Sequence, residues 1–399
     1  MKAKYATEIV KTLRKSGYES YFVGGCVRDM VMGLEPTDYD IATSARPDDV
    51  VRIFSRTEPI GAKFGVILVI EAGLPFEVAT FRSDEAYVDG RRPTGVTFTN
   101  AKEDVLRRDF TINGLLYDPI DNRVIDYVDG KADIARRVVR AIGNPAERFE
   151  EDKLRILRAI RFGARLGYTI ESSTWAAVRL MAPKISEVSA ERIREELVKV
   201  LSEGEAARGV KMLEESGLLQ EILPELEWSE HLHRCLEIIG PSVEPGFGMA
   251  VLLHECSLEA VQHVVARLRF SNADQAHVIA LVENQPRFAE ILGMSQAQLK
   301  RFLRVERFED HLRLRQIHVR AKGSAETEID LVKEKLNLWS DADLRPHPLI
   351  AGQDLITLGM EPGPSFKEIL TAVEDEQLEG RIRDHESALE FVRQRFWEG

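Results

Sequence analysis

Up to about residue 143 the apolar positions alternate between a two-residue and a 3.6-residue period, and from about Pro145 onward the helical period takes over. This predicts an α+β chain, with a mixed sheet and its helices first and helices alone afterwards. The opening MKAKYATEIVKTLRKSG gathers Ile9, Val10 and Leu13 on one side of an amphipathic helix. Residues 21–23 read as the end of a buried strand, Val27, Met30 and Val31 as a short helix, and residues 38–42 as the next strand. Residues 47–54 read as a helix with Asp48 and Asp49 in its first turn, where carboxylates suit the helix dipole. Residues 65–70 and 75–80 are β-branched runs that read as a hairpin, and residues 124–126 as a further strand. Later helices are expected over 190–201, 206–215, 249–253, 258–268, 274–282, 297–304 and 326–338, with breaks at Gly217, residues 241–245, Gly323 and residues 346–348.

Chemistry concentrates in YFVGGCVRDMVMGLEPTDYDIAT. Gly24 and Gly25 let the backbone turn sharply with no Cβ in the way of a phosphate. The strand period sends Asp38 and Asp40 to one face, and two such carboxylates repel unless a cation sits between them. Hard oxygen ligands favour Mg²⁺. Paired carboxylates beside a phosphate-sized turn are what phosphoryl or nucleotidyl transfer by two metals needs, although Asp-x-Asp alone is a common pattern. Glu77, between Phe76 and Val78, is an acid within an apolar strand and the candidate for a third carboxylate. RSDEAYVDGRRP, residues 82–93, is expected to be a mobile loop. In LRRDFTING, Arg107 or Arg108 can reach a triphosphate and Asp109 or Asn113 a ribose hydroxyl. On a helix starting near Arg148, Glu151, Arg155, Arg158 and Arg165 fall within roughly 80° of one another, with Asp152 beside them. Such pairs are usually surface salt bridges, but Arg and Asp are also groups that hydrogen-bond the edge of a base.

Composition narrows the class. The chain has 399 residues, 44% hydrophobic and 30% charged, long enough for two to four domains. No apolar run reaches membrane-spanning length and no signal-peptide pattern opens the chain, so a cytoplasmic protein with no membrane partner is expected. The net charge of -12 argues against a protein coated in nucleic acid. Two basic stretches stand out, nine Arg/Lys against four Asp/Glu over residues 136–165 and eight against three over 300–322, each able to supply phosphate contacts or simply a solvated face. Cys26, Cys235 and Cys256 are too scattered for a disulfide framework or a zinc site and read as small buried side chains. His254-Glu255, with His231 and His233 upstream, invites a metal reading, but no acidic ligand stands at a matching spacing. The four tryptophans are too widely spread to form a stacking platform.

Taken together, the motifs resemble the class II tRNA nucleotidyltransferases: the bacterial CCA-adding enzymes with their A-adding, CC-adding and poly(A) polymerase relatives. VGGCVRDMVMGLEPTDYDIAT is similar to the nucleotidyltransferase signature, LRRDFTINGLLYD to the ribose-recognising motif, DYVDGKADIARRVVRAIG to the head-to-neck join and EDKLRILRAIRFGARLG to the base-selecting helix. GLLQEILPEL and PLIAGQDLITLGMEPGPSF extend the likeness over most of the chain. The resemblance implies a polymerase-β-type head over residues 1–143, then an all-α neck (144–202), body (203–290) and tRNA-binding tail (291–399). It implies Mg²⁺ on Asp38 and Asp40, with Glu77 as a further catalytic acid. Gly24, Gly25, Arg28, Arg108, Asp109, Asn113, Glu151, Asp152, Arg155 and Arg158 would bind the nucleotide, with CTP and ATP as substrates and the acceptor arm and 3′ end of tRNA as partner. The long 82–93 segment resembles enzymes that add the terminal A and argues against a CC-only enzyme; it does not separate CCA addition from A addition. A poly(A) polymerase is the other alternative, although its short basic element after the helix is missing here. LLHE stands where related proteins carry His-Asp of a phosphohydrolase domain, so no such activity is expected. An RNA-binding protein without catalysis is the reading from a different class, and the presence of Asp38, Asp40, Arg108, Asp152 and Arg155 speaks against it.

Overall fold

The computed structural model describes residues 2–61, 65–84, 96–240 and 243–396. It divides into two compact units, one of residues 1–229, 240–248 and 263–271 and one of residues 230–239, 249–262 and 272–399.

The first unit opens with helix α1 (Lys2–Lys15), whose Ala6, Ile9, Val10 and Leu13 are buried as the periodicity requires. Strands β1 (Ser20–Val23), β2 (Asp40–Thr43), β3 (Thr57–Gly61), β4 (Val66–Glu71), β5 (Leu74–Thr80), β8 (Leu115–Asp118) and β9 (Arg123–Asp126) form one sheet in the order β3-β4-β5-β2-β1-β8-β9. A separate short ladder joins β6 (Arg82–Asp84) to β7 (Val96–Phe98). The β2–β5 pair is parallel and the other pairs of the large sheet are antiparallel, which makes the sheet mixed. The β4–β5 hairpin closes through Ala72 and Gly73, both at positive φ, as a two-residue turn matched to strand twist requires. Ile41, Ile67, Val69, Phe76 and Val78 are buried, each contributing about 1.5–3 kcal/mol by leaving water.

Helices α2 (Gly25–Val31), α3 (Pro47–Ile53), α4 (Ala101–Leu106) and α5 (Gly130–Arg136) complete this part. The start of α5 is fixed by Asp126, whose carboxylate accepts from the N–H groups of Val128, Gly130 and Lys131. A Cβ on Gly130 would lie 2.2 Å from the Thr111 carbonyl oxygen, so only glycine lets the helix seat there. Helices α6 (Pro145–Glu151), α7 (Leu154–Leu166), α8 (Ser172–Met181) and α9 (Ala190–Ser202) follow, with α7 packed on α9.

Four expectations change. Asp38 precedes β2 rather than lying in it, although the alternation survives: Asp38 and Asp40 are exposed and Tyr39 between them is buried. Glu77 is exposed, because β5 buries Phe76 and Val78 on one face and leaves the other open. The helix expected to run on from Arg148 breaks at Asp152, whose extended backbone separates α6 from α7. Of the 82–93 segment, residues 82–84 form strand β6; residues 85–93 lie outside the described residues.

In the second unit the described residues outside loops are helical, including Glu230–Ile238, Gln296–Leu303, Phe308–Lys322, Thr327–Leu338, Pro364–Leu378 and His385–Phe396. Phe288, Phe302, Phe308 and Val332 anchor one core and Leu355, Ile369, Val373 and Val392 another. The second basic stretch is largely neutralised within this unit. Arg301 and Arg304 pair with Glu374, Arg315 with Glu328 and Arg320 with Glu326, while Lys300 is buried and donates to the Leu378 carbonyl. Among the described residues no helix is long and apolar enough to cross a membrane.

Candidate active site

The turn from β1 into α2 sets the geometry. Gly24 sits at φ 73°, ψ -135°, a region open in practice to glycine alone, and a Cβ there would stand 3.4 Å from Nη1 of Arg108. Glycine therefore serves the bend and the approach of the guanidinium together. Beside it, the parallel register that sets Ile41 opposite Val78 puts Asp40 next to Glu77. Asp40 keeps solvent on its cavity side, but the protein packed around the rest of it strips part of the water from its carboxylate, and Glu77 and Asp38 add like charge; together they outweigh Arg108 and raise its pKa to about 6. Asp38 is turned to Lys2, 2.7 Å from Nζ, with 79% of its side chain exposed. Exposed pairs of this kind are worth about 0–1 kcal/mol, so Lys2 is easily exchanged for a stronger cation. Carboxylate oxygens are the donors a hard divalent metal takes, and Asp40 is the one of these three acids on the cavity wall.

Arginines and their acids build the facing wall. Asp104, at 1% exposure, takes Arg107 on one oxygen at 2.7 Å and Arg108 on the other at 2.9 Å. Burial alone would raise its pKa, but the guanidiniums of Arg108 and Arg107 hold it below the usual range. Asp109 accepts from Arg158 at 2.5 and 2.9 Å, from the Phe110 N–H at 2.8 Å and from Asn113 at 3.3 Å. Against the effect of burial, Arg158 brings its pKa down to about 2. Arg28, 3% exposed, donates to Asn113 Oδ1 at 2.8 Å and to Asp29, so its work is to hold the amide.

At the neck end, Arg155 donates to Glu151 at 2.7 Å, to the Arg148 carbonyl at 3.1 Å and to the Arg107 carbonyl at 3.0 Å. This leaves its Nε–H and one Nη2–H. Asp152 accepts from the Leu154 N–H at the start of α7 and from Arg192 at 2.9 Å.

A cavity of about 470 Å³ brings together Gly24, Gly25, Arg28, Asp40, Arg108, Asp109, Asn113, Asp152, Arg155 and Arg158. Asp38, Glu77 and Glu151 are not on its wall; Glu151 stands behind, tying Arg148 to Arg155. The cavity also takes Leu154, Arg161, Phe162 and Arg192, which local pattern did not single out. Arg161 stacks 4.4 Å from the Phe162 ring centroid and pairs with buried Glu196 at 3.0 Å. Asp104 was findable, since it stands three and four residues before Arg107 and Arg108, the spacing of helix ion pairs. Nothing local marks Arg192, 40 residues from the aspartate it meets.

The chain matches the poly A polymerase head domain over residues 20–140 and tRNA nucleotidyltransferase domain 2 over residues 248–392. It is 33% identical to the CCA-adding enzyme of Levilactobacillus brevis over 388 residues, 96% of each chain. The chain belongs to the CCA-adding enzyme family. A second member, from Bacillus cytotoxicus, is 31% identical over 97% of this chain and 96% of its own. The crystal structure of the Bacillus stearothermophilus CCA-adding enzyme in complex with CTP superposes with a TM-score of 0.80 at 28% identity, covering 98% of both chains. For a CCA-adding enzyme family member, the mixed-sheet head followed by helices is the shared fold, and the cavity lies where the head and the α6–α7 segment meet within the first unit.

Proposed function

We propose that the chain builds the 3′-terminal CCA of tRNA, or its terminal A, from CTP and ATP without a nucleic-acid template, releasing pyrophosphate. The observation that carries this is a single cavity with Asp40 at one end and Asp152 and Arg155 at the other. A nucleoside triphosphate spanning it would present its phosphates to the carboxylates and its base to the α6–α7 turn. Cytosine and adenine both offer an amino donor beside a ring-nitrogen acceptor. A carboxylate takes the first and a guanidinium N–H serves the second, so Asp152 and Arg155 suit both bases and oppose guanine and uracil, where the polarity is reversed. Arg108 and Gly24 receive the phosphates, and Asn113, held by Arg28 and Asp109, faces the ribose.

Mg²⁺ on Asp38 and Asp40, assisted by Glu77 and acting as a pair of ions, would activate the tRNA 3′ hydroxyl and neutralise the triphosphate. In this reading the head ends near residue 143, residues 144–202 select the base, and body (203–290) and tail (291–399) hold the acceptor arm, in the cytoplasm where tRNA is matured. Its support is the family membership and the donor chemistry of the cavity. Single-turnover assays on tRNA transcripts ending at the discriminator base, at C and at CC test it. Extension of all three is expected of a CCA-adding enzyme. Extension of the CC end alone would make it an A-adding enzyme, and extension of none would overturn the proposal.

A further inference from the structure

A second cluster of ligand-type side chains lies in the second unit, which holds no part of the nucleotide cavity. Helix Glu230–Ile238 carries His231 and Cys235 one turn apart on the same face, His254 directly follows helix Pro245–Leu253, and helix Phe308–Lys322 supplies His318. Cys235 Sγ is 3.6 Å from His231 Nε2 and 3.9 Å from His254 Nε2. His318 Nδ1 is 3.1 Å from His231 Nε2 and 3.2 Å from His254 Nε2. Donor atoms around a tetrahedral Zn²⁺, with bonds of about 2.0–2.3 Å, stand about 3.3–3.8 Å apart, close to the two Cys235 spacings, and the donor atoms of His231, Cys235 and His254 all lie within 4.8 Å of one another.

The proton arrangement agrees. His254 Nδ1 lies 2.8 Å from the Val251 carbonyl, a bond only its N–H form can make, so in the neutral ring the Nε2 lone pair faces the cluster. The sequence had made the histidines isolated and the cysteines too dispersed for zinc; one cysteine suffices once three helices converge on it.

We propose that His231, Cys235 and His254 hold a Zn²⁺ ion, with the His318 ring packed against the two imidazoles. A thiolate with imidazoles selects Zn²⁺ over the hard cation suited to Asp40. Glu255, 3.8 Å from His231 Nε2, stays at the margin with its side chain 44% exposed, so the donor set is two imidazoles and a thiolate rather than a carboxylate-rich one. Binding transfers the Cys235 thiol proton to solvent, leaving a Zn–S bond. Without a metal, burial and then Glu255 push that thiol up to about 12.

The test uses the full chain, purified without a metal-affinity tag, stripped with chelator and then given Zn²⁺ or Co²⁺. The expected result is one Zn²⁺ per chain retained through desalting, and a Co²⁺ form with a sulfur-to-cobalt charge-transfer band that Cys235→Ser removes. X-ray absorption at the zinc edge of the unmodified chain needs no variant and should show one sulfur among nitrogen neighbours. No retained zinc, a first shell without sulfur, or a Co²⁺ spectrum unchanged in Cys235→Ser would overturn the proposal. The oxygen ligands of the head cannot give the charge-transfer band.

Discussion

The two ends of the nucleotide cavity are built on opposite electrostatic terms. Along β2 and β5, Asp40 and Glu77 crowd like charges, and Asp38 is held only by an exposed lysine; the result is a carboxylate whose pKa rises to about 6. On α7 and the residues around Asp109, every arginine considered has an acid or carbonyl within 3.2 Å, and the Asp109 pKa falls to about 2. An edge short of positive charge is ready to receive a cation. A wall already neutralised is ready to hold a fixed hydrogen-bond pattern against a base. In the proposed function the same residue types serve reaction at one end and recognition at the other, and their pKa shifts run in opposite directions.

The contrast can be broken most severely at the carboxylate edge. Asp40→Asn should lower nucleotide incorporation by about 10³-fold or more, since a bound metal supplies several kcal/mol to such a step and each 1.4 is tenfold. At limiting Mg²⁺, wild-type incorporation should fall as pH drops below about 6, where the metal-free Asp40 takes up a proton that competes with the cation, and added Mg²⁺ should move that fall to lower pH. Because its folded-state pKa is raised above 3.8, ionised Asp40 costs stability as pH rises from that value through about 6. Metal-free Asp40→Asn should therefore melt higher than wild type at pH 8 and no higher at pH 4, as calorimetry would read.

At the recognition wall the expected loss is in stability first. Asp109→Ala strands Arg158 without its buried partner and should cost about 3–5 kcal/mol in denaturant unfolding, with part recovered when Arg158→Ala is added. The contribution of Asp109 is present above the unfolded value of 3.8 and disappears as pH falls through about 2. Lys2→Ala should be the mildest change, within about 1 kcal/mol of wild type in unfolding, because the pair it removes is exposed. A larger loss would mean that Asp38 depends on Lys2 for its place.

What could be read beforehand was local. The β1–α2 turn, the Asp38/Asp40 alternation and the buried face of α1 each follow from neighbours within a few residues. Glu77 does lie beside Asp40, but an apolar run does not reveal that β5 buries Phe76 and Val78 on one face and leaves the face carrying Glu77 open. The break before α7 had a signal in Asp152, a capping residue just ahead of an apolar run, but periodicity ran across it. Arg192, Glu196 and the His–Cys cluster depend on contacts between segments far apart in sequence, which no spacing rule reaches. For the basic stretch over 300–322, phosphate contacts and a solvated face were both open readings, because the acids that neutralise it, Glu326, Glu328 and Glu374, lie outside it.

The central claim is that protein side chains at the α6–α7 turn choose the nucleotide. Single-turnover incorporation of each of the four triphosphates, by wild type and by Arg155→Ala, on a transcript ending at the discriminator base tests it most directly. The account predicts that the variant loses its preference for CTP while tRNA binding is little changed. Equal loss with all four triphosphates would contradict it.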